Sequence, residues 1–566
     1  MRCVLILFLS TACFAAGGSC PSGANYPNAS GALVTLASLG VTSCYYASSA
    51  GVDTATGTTE SAPWLHFPGM TGCSNNCAAL TPSAGQGFII KGGSAYHLGN
   101  SSATPYIAGG WNWQWAGTSS HQIYVGVDPA WPSTGWTRPV FTGDNPICSS
   151  TSCSRGTYPY VSSCQYQVTG GNNLIAINPS AYLTFDNLEL TGMCWTGTPS
   201  GTNDIYLYSQ GLSSGSGGVN SSSIVSNMYI HGWSHTSGAA YYATAMRAYT
   251  ENALPIYEFD VVDGWDSDDQ VMDAVGDQSA GVYIVQYNVF RHFGGSNAPN
   301  NCHIVHDNLF EYVNNCGENG DHCDTFMCYG ETSNGSTDPN LFYNNIFRYI
   351  GTEYSSANSD GTLWIFPTLG QTDYVFNNVA HDIYSPANYF SMNQNNHGAG
   401  GNAALYNNTW VCPCDFGNDS PANGTWSLIN NHWVTTATST SGTFQNPSSV
   451  TSETNSLYMS PTGSGSAAAQ GYTSANDYAP TSSTNSTVTA SGTNDTTFCN
   501  GLTNVLAKAA CLQGFTGVAY NATNHTVVVP AILGVNRPST GAWNVGAYQF
   551  AATGPNAPTG LTVTVH

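Results

Sequence analysis

Hydrophobic and polar positions along this chain follow one short phrase that keeps returning. It reads Gln286-Tyr287-Asn288-Val289-Phe290-Arg291, then His306-Asp307-Asn308-Leu309-Phe310-Glu311, then Tyr343-Asn344-Asn345-Ile346-Phe347-Arg348. Weaker copies are Phe376-Asn377-Asn378-Val379, Tyr406-Asn407-Asn408-Thr409-Trp410 and Ile429-Asn430-Asn431-His432-Trp433. Earlier copies are Phe185-Asp186-Asn187-Leu188 and Val225-Ser226-Asn227-Met228. Intervals of roughly 20–40 residues signal a stack of coils, each too small to bury its own apolar face. Three residues before the shared Asn stand Val285, Val305, Phe342, Val375, Leu405 and Leu428, which predicts an inward column. Two residues after it come Phe290, Phe310, Phe347, Ala380, Trp410 and Trp433, a second inward column. The Asn itself suits a turn with left-handed backbone. Stacked turns would let each amide donate to the next, with a spacing of about 4.8 Å set by strand pairing.

Three residues after the Asn, successive copies carry Arg291, Glu311, Arg348 and His381. Unpaired charges cost several kcal/mol to bury, so this column is expected to face out. It would be either a surface ion ladder or a polar floor for a long polymer, with Glu311 and His381 touching substrate and Arg291 and Arg348 as candidate catalytic groups.

Flanking regions read differently. Residues 17–180 are rich in Gly, Ser, Pro, Cys and Trp, and Gly87 to Gly93 reads as a strand ending in a turn. Residues 181–435 carry the repeats. Residues 436–550 begin with Ser, Thr, Asn and Gly in a loosely wound stretch. They then show Leu502, Val505, Leu506 and Ala509 at helical spacing between Cys499 and Cys511. Residues 551–566 form a linker and one strand-like tail.

On these repeats the chain resembles the right-handed parallel β-helix (pectate-lyase-like) superfamily, over about Tyr182 to Phe550. The phrase Arg537-Pro538-Ser539-Thr540-Gly541-Ala542-Trp543-Asn544-Val545-Gly546-Ala547-Tyr548-Gln549 is similar to ones that close secreted bacterial β-helix proteins. There the positions of Asn544 and Gln549 are usually acidic. The resemblance implies an all-β solenoid with long loops and leaves the activity open, because this fold hosts lyases, hydrolases, adhesins and inert scaffolds. Pectate lyases of the fold use Ca²⁺-binding acids and an Arg base, and none of Arg247, Arg291 and Arg348 sits in a matching motif. Polygalacturonases of the fold carry an Asp pair that Asp268-Asp269 imitates, without their other motifs.

Composition narrows the partners. The 566 residues are 41% hydrophobic, enough to fill a core, and only 7% charged. Nine Lys and Arg against 32 Asp and Glu give a net charge of −23, which argues against nucleic acid or an anionic membrane surface. Met1-Arg2 followed by Val4 to Leu9 and then small residues to Gly17 has the form of a secretory signal peptide over residues 1–16. A lipoprotein reading through Cys13 meets a poor fit at Ser10. No later stretch is long and apolar enough to span a bilayer. Of 18 Cys, two (Cys3 and Cys13) fall in that leader, and the remaining even number predicts disulfides in a secreted protein. Close pairs are Cys73/Cys77, Cys148/Cys153, Cys323/Cys328 and Cys499/Cys511; structural zinc is the weaker reading of such spacings.

The candidate chemistry clusters in long acidic loops. After Val261 comes Asp263-Gly264-Trp265-Asp266-Ser267-Asp268-Asp269, and after Asn308 comes Glu318-Asn319-Gly320-Asp321-His322-Cys323-Asp324. Loops leaving the same strand should rise side by side and wall a cleft. Asp266, Asp268, Asp321 and Asp324 could hold Ca²⁺, a hard cation that takes oxygen ligands. Alternatively two of Asp268, Asp269, Asp321 and Asp324 form an acid/base pair, with His322 as proton carrier. The bland alternative is a solvated, disulfide-stapled acidic loop. In Trp111-Asn112-Trp113-Gln114-Trp115 an extended strand would put the three Trp on one face, either stacking on sugar rings or filling the core. Three functions stay open: a secreted hydrolase or Ca²⁺-assisted lyase acting on extracellular polysaccharide, a non-catalytic surface or matrix scaffold or adhesin that binds carbohydrate or self-assembles, or a carbohydrate-binding module without turnover.

Overall fold

In the computed structural model the described residues run from Gly17 to Phe550. They exclude 146–159, 196–204, 211–222, 237–243, 250–254, 265–272, 277–282, 294–302, 314–325, 330–338, 351–360, 384–388, 393–400, 412–414, 417–423, 436–449 and 482–490, with some shorter stretches.

The repeats form a parallel β-helix, with the right-handed sense that parallel crossovers take. The first sheet has thirteen strands, from Ser43–Ala47 to Val450–Thr454. The second has twelve, from Ala95–His97 to Leu457–Met459. A third face is built from two shorter parallel sheets, Trp111–Trp113 through Asp273–Gly276 and Met327–Tyr329 through Asp415–Phe416. Where all three strands of a coil are described, the chain visits the sheets in that order, as Leu341–Tyr343, Ile346–Ile350 and Gly361–Phe366 do.

The corners stack in register. Val289 pairs with Leu309, Leu309 with Ile346, and Ile346 with Val379 on one side of the turn. On the other side Val285 pairs with Val305, Val305 with Phe342, and Phe342 with Val375. Both predicted inward columns fill the lumen and belong to one apolar core. Phe290, Phe310 and Phe347 stack face to face, with ring centroids 5.2 and 4.9 Å apart. A stack of that kind follows when one aromatic position is repeated at the strand spacing.

The Asn ladder is present. Asn288, Asn308, Asn345, Asn378 and Asn408 each donate Nδ2–H to Oδ1 of the next Asn, ending at Asn431, at 3.0–3.1 Å. The same Oδ1 also accepts the backbone N–H of the preceding coil's Asn. Two details differ from the sequence reading. The left-handed residue is the one before the ladder Asn: Tyr287, Asp307, Asn344, Asn377, Asn407 and Asn430 all have φ near +55°. Asn187 and Asn227 take that left-handed position, so Leu188 and Met228 stand where the ladder would continue. Asp260 takes the ladder's first place, donating its N–H to Asn288 and accepting from the Met228 N–H.

After Met459 the chain turns back along the outside of the helix. Thr496–Gly501 and Val505–Cys511 form two short helices bridged by Cys499–Cys511. The buried face of the second is Ala507 and Cys511, while Val505 and Leu506 are exposed, the reverse of the spacing argument. Asn504 caps this helix, and the disulfide sets which side turns inward. The helices cover Ile304, Leu341, Tyr343 and Phe376 on the first sheet. Phe515, Val518 and Val527 cover Val261, Val289, Leu309, Ile346 and Val379 on the second. Arg537 secures the closing phrase, donating to Asn377 Oδ1 and to the carbonyls of Gly546 and Ala547. Arg138, from an early coil, donates to the Asn524 carbonyl.

Disulfides Cys73–Cys77 and Cys499–Cys511 match the close pairs, and Cys20–Cys44 and Cys164–Cys194 are long-range bridges that spacing could not suggest. Cys148, Cys153 and Cys323 lie outside the described residues, as do residues 1–16 and 551–566. Among the described residues no helix is long and apolar enough to cross a membrane.

Candidate functional site

The charged column points away from the lumen, as its chemistry requires, but it does not reach solvent. Glu311 and His381 are buried, and Arg291 and Arg348 are largely covered. Returning C-terminal residues close over them. Arg291 lies 3.0 Å from Glu311 and 3.6 Å from Asp263, and its guanidinium sits 4.1 Å from the Tyr520 ring centroid. Arg348 donates through Nη2 and Nε to Glu311 Oε2, at 2.7 and 2.9 Å. Its Nη1 meets Asp477 Oδ1 at 3.3 Å. The same oxygen takes His381 Nε2 at 3.0 Å, while His381 Nδ1 bonds Asp382. Tyr520 donates to Asp263, and the Tyr548 hydroxyl to the Asp477 carbonyl.

The row Asp263, Arg291, Glu311, Arg348, Asp477, His381 and Asp382 is thus an alternating network sealed between helix and cover. Burial works to lower the Arg348 pKa, but Glu311 and Asp477 outweigh it, so the arginine holds its proton more tightly than usual. Burial likewise opposes charge on His381, and its bonds to Asp382 and Asp477 win, raising it. Burial would raise Asp477, but His381 and Arg348 hold it below the ordinary carboxylate range. An arginine so placed is a poor base. The C-terminal segment packs over the face where Glu311 and His381 were expected to meet substrate and Arg291 and Arg348 to act, and these four pair with protein groups there.

Of the two readings of the Trp row, the structure takes the core one. Trp111 and Trp113 are fully buried in the lumen, with indole N–H groups donating to the carbonyls of Pro68 and Trp115. Trp115 packs half-buried against the same core. Their strand lies at the edge of the third face, where the first coils need bulk to plug the lumen.

Sequence reasoning missed a second left-handed column. His292, Tyr312, Tyr349 and Asp382 have φ between +52° and +56°, four residues after successive ladder positions. The rings of His292, Tyr312 and Tyr349 stack at 4.8 Å. Left-handed backbone on a tyrosine is uncommon and costs roughly 1–2 kcal/mol per residue. Repeated on adjacent coils, it kinks four second-sheet strands near their ends. The signal was an aromatic recurring one step beyond the charged column.

The acidic runs fall in two connections from the second sheet to the third face. Asp266, Asp268 and Asp269 fall between Val261–Asp263 and Asp273–Gly276; Asp321, His322 and Asp324 fall between Leu309–Val313 and Met327–Tyr329. All six lie outside the described residues. Among the described residues, no group of three or more His, Cys, Asp or Glu could hold a metal ion.

A buried acid cluster surrounds the start of the ladder. Glu258 accepts from Gln286 at 2.6 Å, and Gln286 bonds His306, which bonds Asp307. Asp186 accepts from Tyr124 and Asn227. Burial, partly offset by these bonds, pushes Asp186 up to about 6 and Glu258 to about 7. Burial, with Glu258 and Asp186 nearby, raises Asp260 well above the usual range.

No protein-family model matches this chain, and a search of the curated proteins returned no match. Solved structures share its fold. One is the pectate lyase Pel9A, at 15% identity over 89% of this chain and 96% of that one, with a TM-score of 0.43. A rhamnogalacturonan lyase aligns at 15% identity over 73% and 86%, TM-score 0.36. The GH136 lacto-N-biosidase from Eubacterium ramulus aligns at 12% over 74% and 67%, TM-score 0.36. The fold is a parallel β-helix, as the chain's own stacked sheets show. Likenesses this distant carry no argument, and the chain's own surfaces must carry any that concerns chemistry.

Proposed function

We propose that this protein acts on an extracellular polysaccharide laid along the third face, with the acidic connections as its working groups. One observation carries the reading. The apolar clusters of the C-terminal segment draw their partners from the first and second sheets, so that segment occupies those outer faces. Val261–Asp263 and Leu309–Val313, the latter kinked at Tyr312, are the second-sheet strands that precede the two acidic runs.

Within that flank, Asp266, Asp268, Asp321 and Asp324 would supply oxygen ligands to Ca²⁺, an all-carboxylate donor set suited to a hard cation. Bound calcium would neutralise a uronate carboxylate. Without a cation, two of Asp268, Asp269, Asp321 and Asp324 would serve as acid and base, with His322 moving a proton. At a net charge of −23, a polyanionic substrate needs local cations and a neutral one does not.

The test is a panel of neutral and uronate polysaccharides assayed with Ca²⁺ and with chelator. Unsaturated products absorbing in the ultraviolet would mean elimination, and new reducing ends alone would mean hydrolysis. Asp321→Asn and Asp268→Asn should each lower the rate at least about 100-fold, within the range general acid–base catalysis contributes. No turnover on any polymer would overturn the enzyme reading in favour of a scaffold or adhesin.

A further inference from the structure

A second cavity lies away from that flank, between the outer face of the first sheet and the disulfide-bridged helices. Its volume is about 570 Å³, within the range of small-molecule sites. Tyr374 and Phe498 form an aromatic wall, with ring centroids 5.1 Å apart. Leu341 and Leu502 supply apolar floor, while His303 and Thr497 bring polar atoms to the same space. None of its described lining residues is Asp, Glu, Lys or Arg. Burial raises the Tyr374 pKa, so its hydroxyl stays protonated at neutral pH. Cys499–Cys511 pins the helices that form the roof, so the cavity is pre-formed.

Two aromatic rings inclined at 59° to each other, with hydroxyl and imidazole groups nearby and no Asp, Glu, Lys or Arg among the described lining, fit a neutral pyranose. Such a sugar has an apolar face for the rings and hydroxyls for the polar atoms. We propose that this cavity is an accessory binding site for neutral saccharide, separate from the acidic flank and independent of turnover there. A uronate would face a pocket with no cation to pair its carboxylate. A purely apolar ligand would leave the polar atoms unmatched.

Gly501 lines the cavity, is exposed, and has nothing within 4 Å of where a Cβ would stand. Gly501→Trp should therefore fill the site with little disturbance of the backbone. Thr503→Trp, also on the lining, and Tyr374→Ala are independent second variants. Titration calorimetry of the full chain would use cellohexaose, xylohexaose and mannohexaose, with hexagalacturonate and the apolar probe N-phenyl-1-naphthylamine as comparisons. At least one neutral hexasaccharide should bind one to one, and Gly501→Trp should weaken it at least about tenfold. Tyr374→Ala should weaken the same ligand. Circular dichroism and melting temperature check that each variant folds, and Thr503→Trp replaces Gly501→Trp if the latter does not. The proposal is overturned if no neutral hexasaccharide binds. It is also overturned if binding survives the blocking variant, or if only hexagalacturonate or the naphthylamine is sensitive to it.

Discussion

At the residue scale, the fold is held by amides with no slack. Asn345 donates to the Val305 carbonyl and to Asn378 Oδ1, and its own Oδ1 accepts twice from Asn308. Its side chain is fully buried, so removing it strands donors and acceptors on both neighbouring coils. Each stranded group costs about 1–3 kcal/mol, so Asn345→Ala should lose at least ~3 kcal/mol in urea unfolding. Asp260 is the instructive exception. It stands where an amide would, one of its carboxylate oxygens has no partner, and burial favours its neutral form. Asp260→Asn should then be neutral or stabilising at pH 7, whereas Asp260→Leu should destabilise by about 1–3 kcal/mol by orphaning the Met228 N–H. The ladder was legible because Asn recurs at one position. That Tyr287 and Asp307 rather than Asn288 and Asn308 would turn left-handed was not legible, because only backbone pairing separates adjacent corner residues.

At the element scale, the C-terminal segment decides which face is available. The sequence shows a column of charge and correctly turns it out of the lumen. It does not show that Asp477, 96 residues beyond His381, and Tyr520, further still, return to cover it. Such long-range covering leaves no periodic trace. Glu311 is the hinge of that network, since it pairs with both Arg291 and Arg348. Glu311→Ala should cost about 3–5 kcal/mol, because two largely covered guanidinium groups lose their shared partner. Asp477→Asn weakens the contact between cover and helix more selectively. Limited proteolysis should then cut the segment after residue 460 faster than in the parent, with the repeats left intact. Equal cleavage would mean the apolar clusters alone hold the cover in place.

For the whole molecule, stability should fall as pH rises from about 4.5 to 7.5. Burial is the chief cause that raises Asp186 and Asp495 to about 6, and Glu258 and Asp373 to about 7. A carboxyl whose folded pKa lies above its unfolded value contributes stability at low pH that is lost as pH rises through the folded pKa. His432 works the other way, since burial lowers it to about 4 and its contribution is lost as pH falls from 6.5. His525 is lowered by burial as well, and Asp260 is a fifth carboxyl that burial raises; two histidines do not balance five carboxyls, so the melting temperature should be higher at about pH 4.5 than at about pH 7.5. A melting temperature that rose over that interval would contradict the buried acids. The stacked architecture was readable from repeats alone because every coil must solve the same packing problem. The candidate chemistry was readable only as acidic runs in the connections, where no repeat constrains position.

The most direct test of where the polymer lies is hydrogen exchange of the whole protein with each polysaccharide of the panel. Protection should appear in 205–210, 244–249, 327–329 and 361–366 of the third face and in the acidic connections beside them. Protection confined to 289–293, 309–313 and 346–350 of the second sheet would contradict the account, because it would put the polymer where the C-terminal segment now packs.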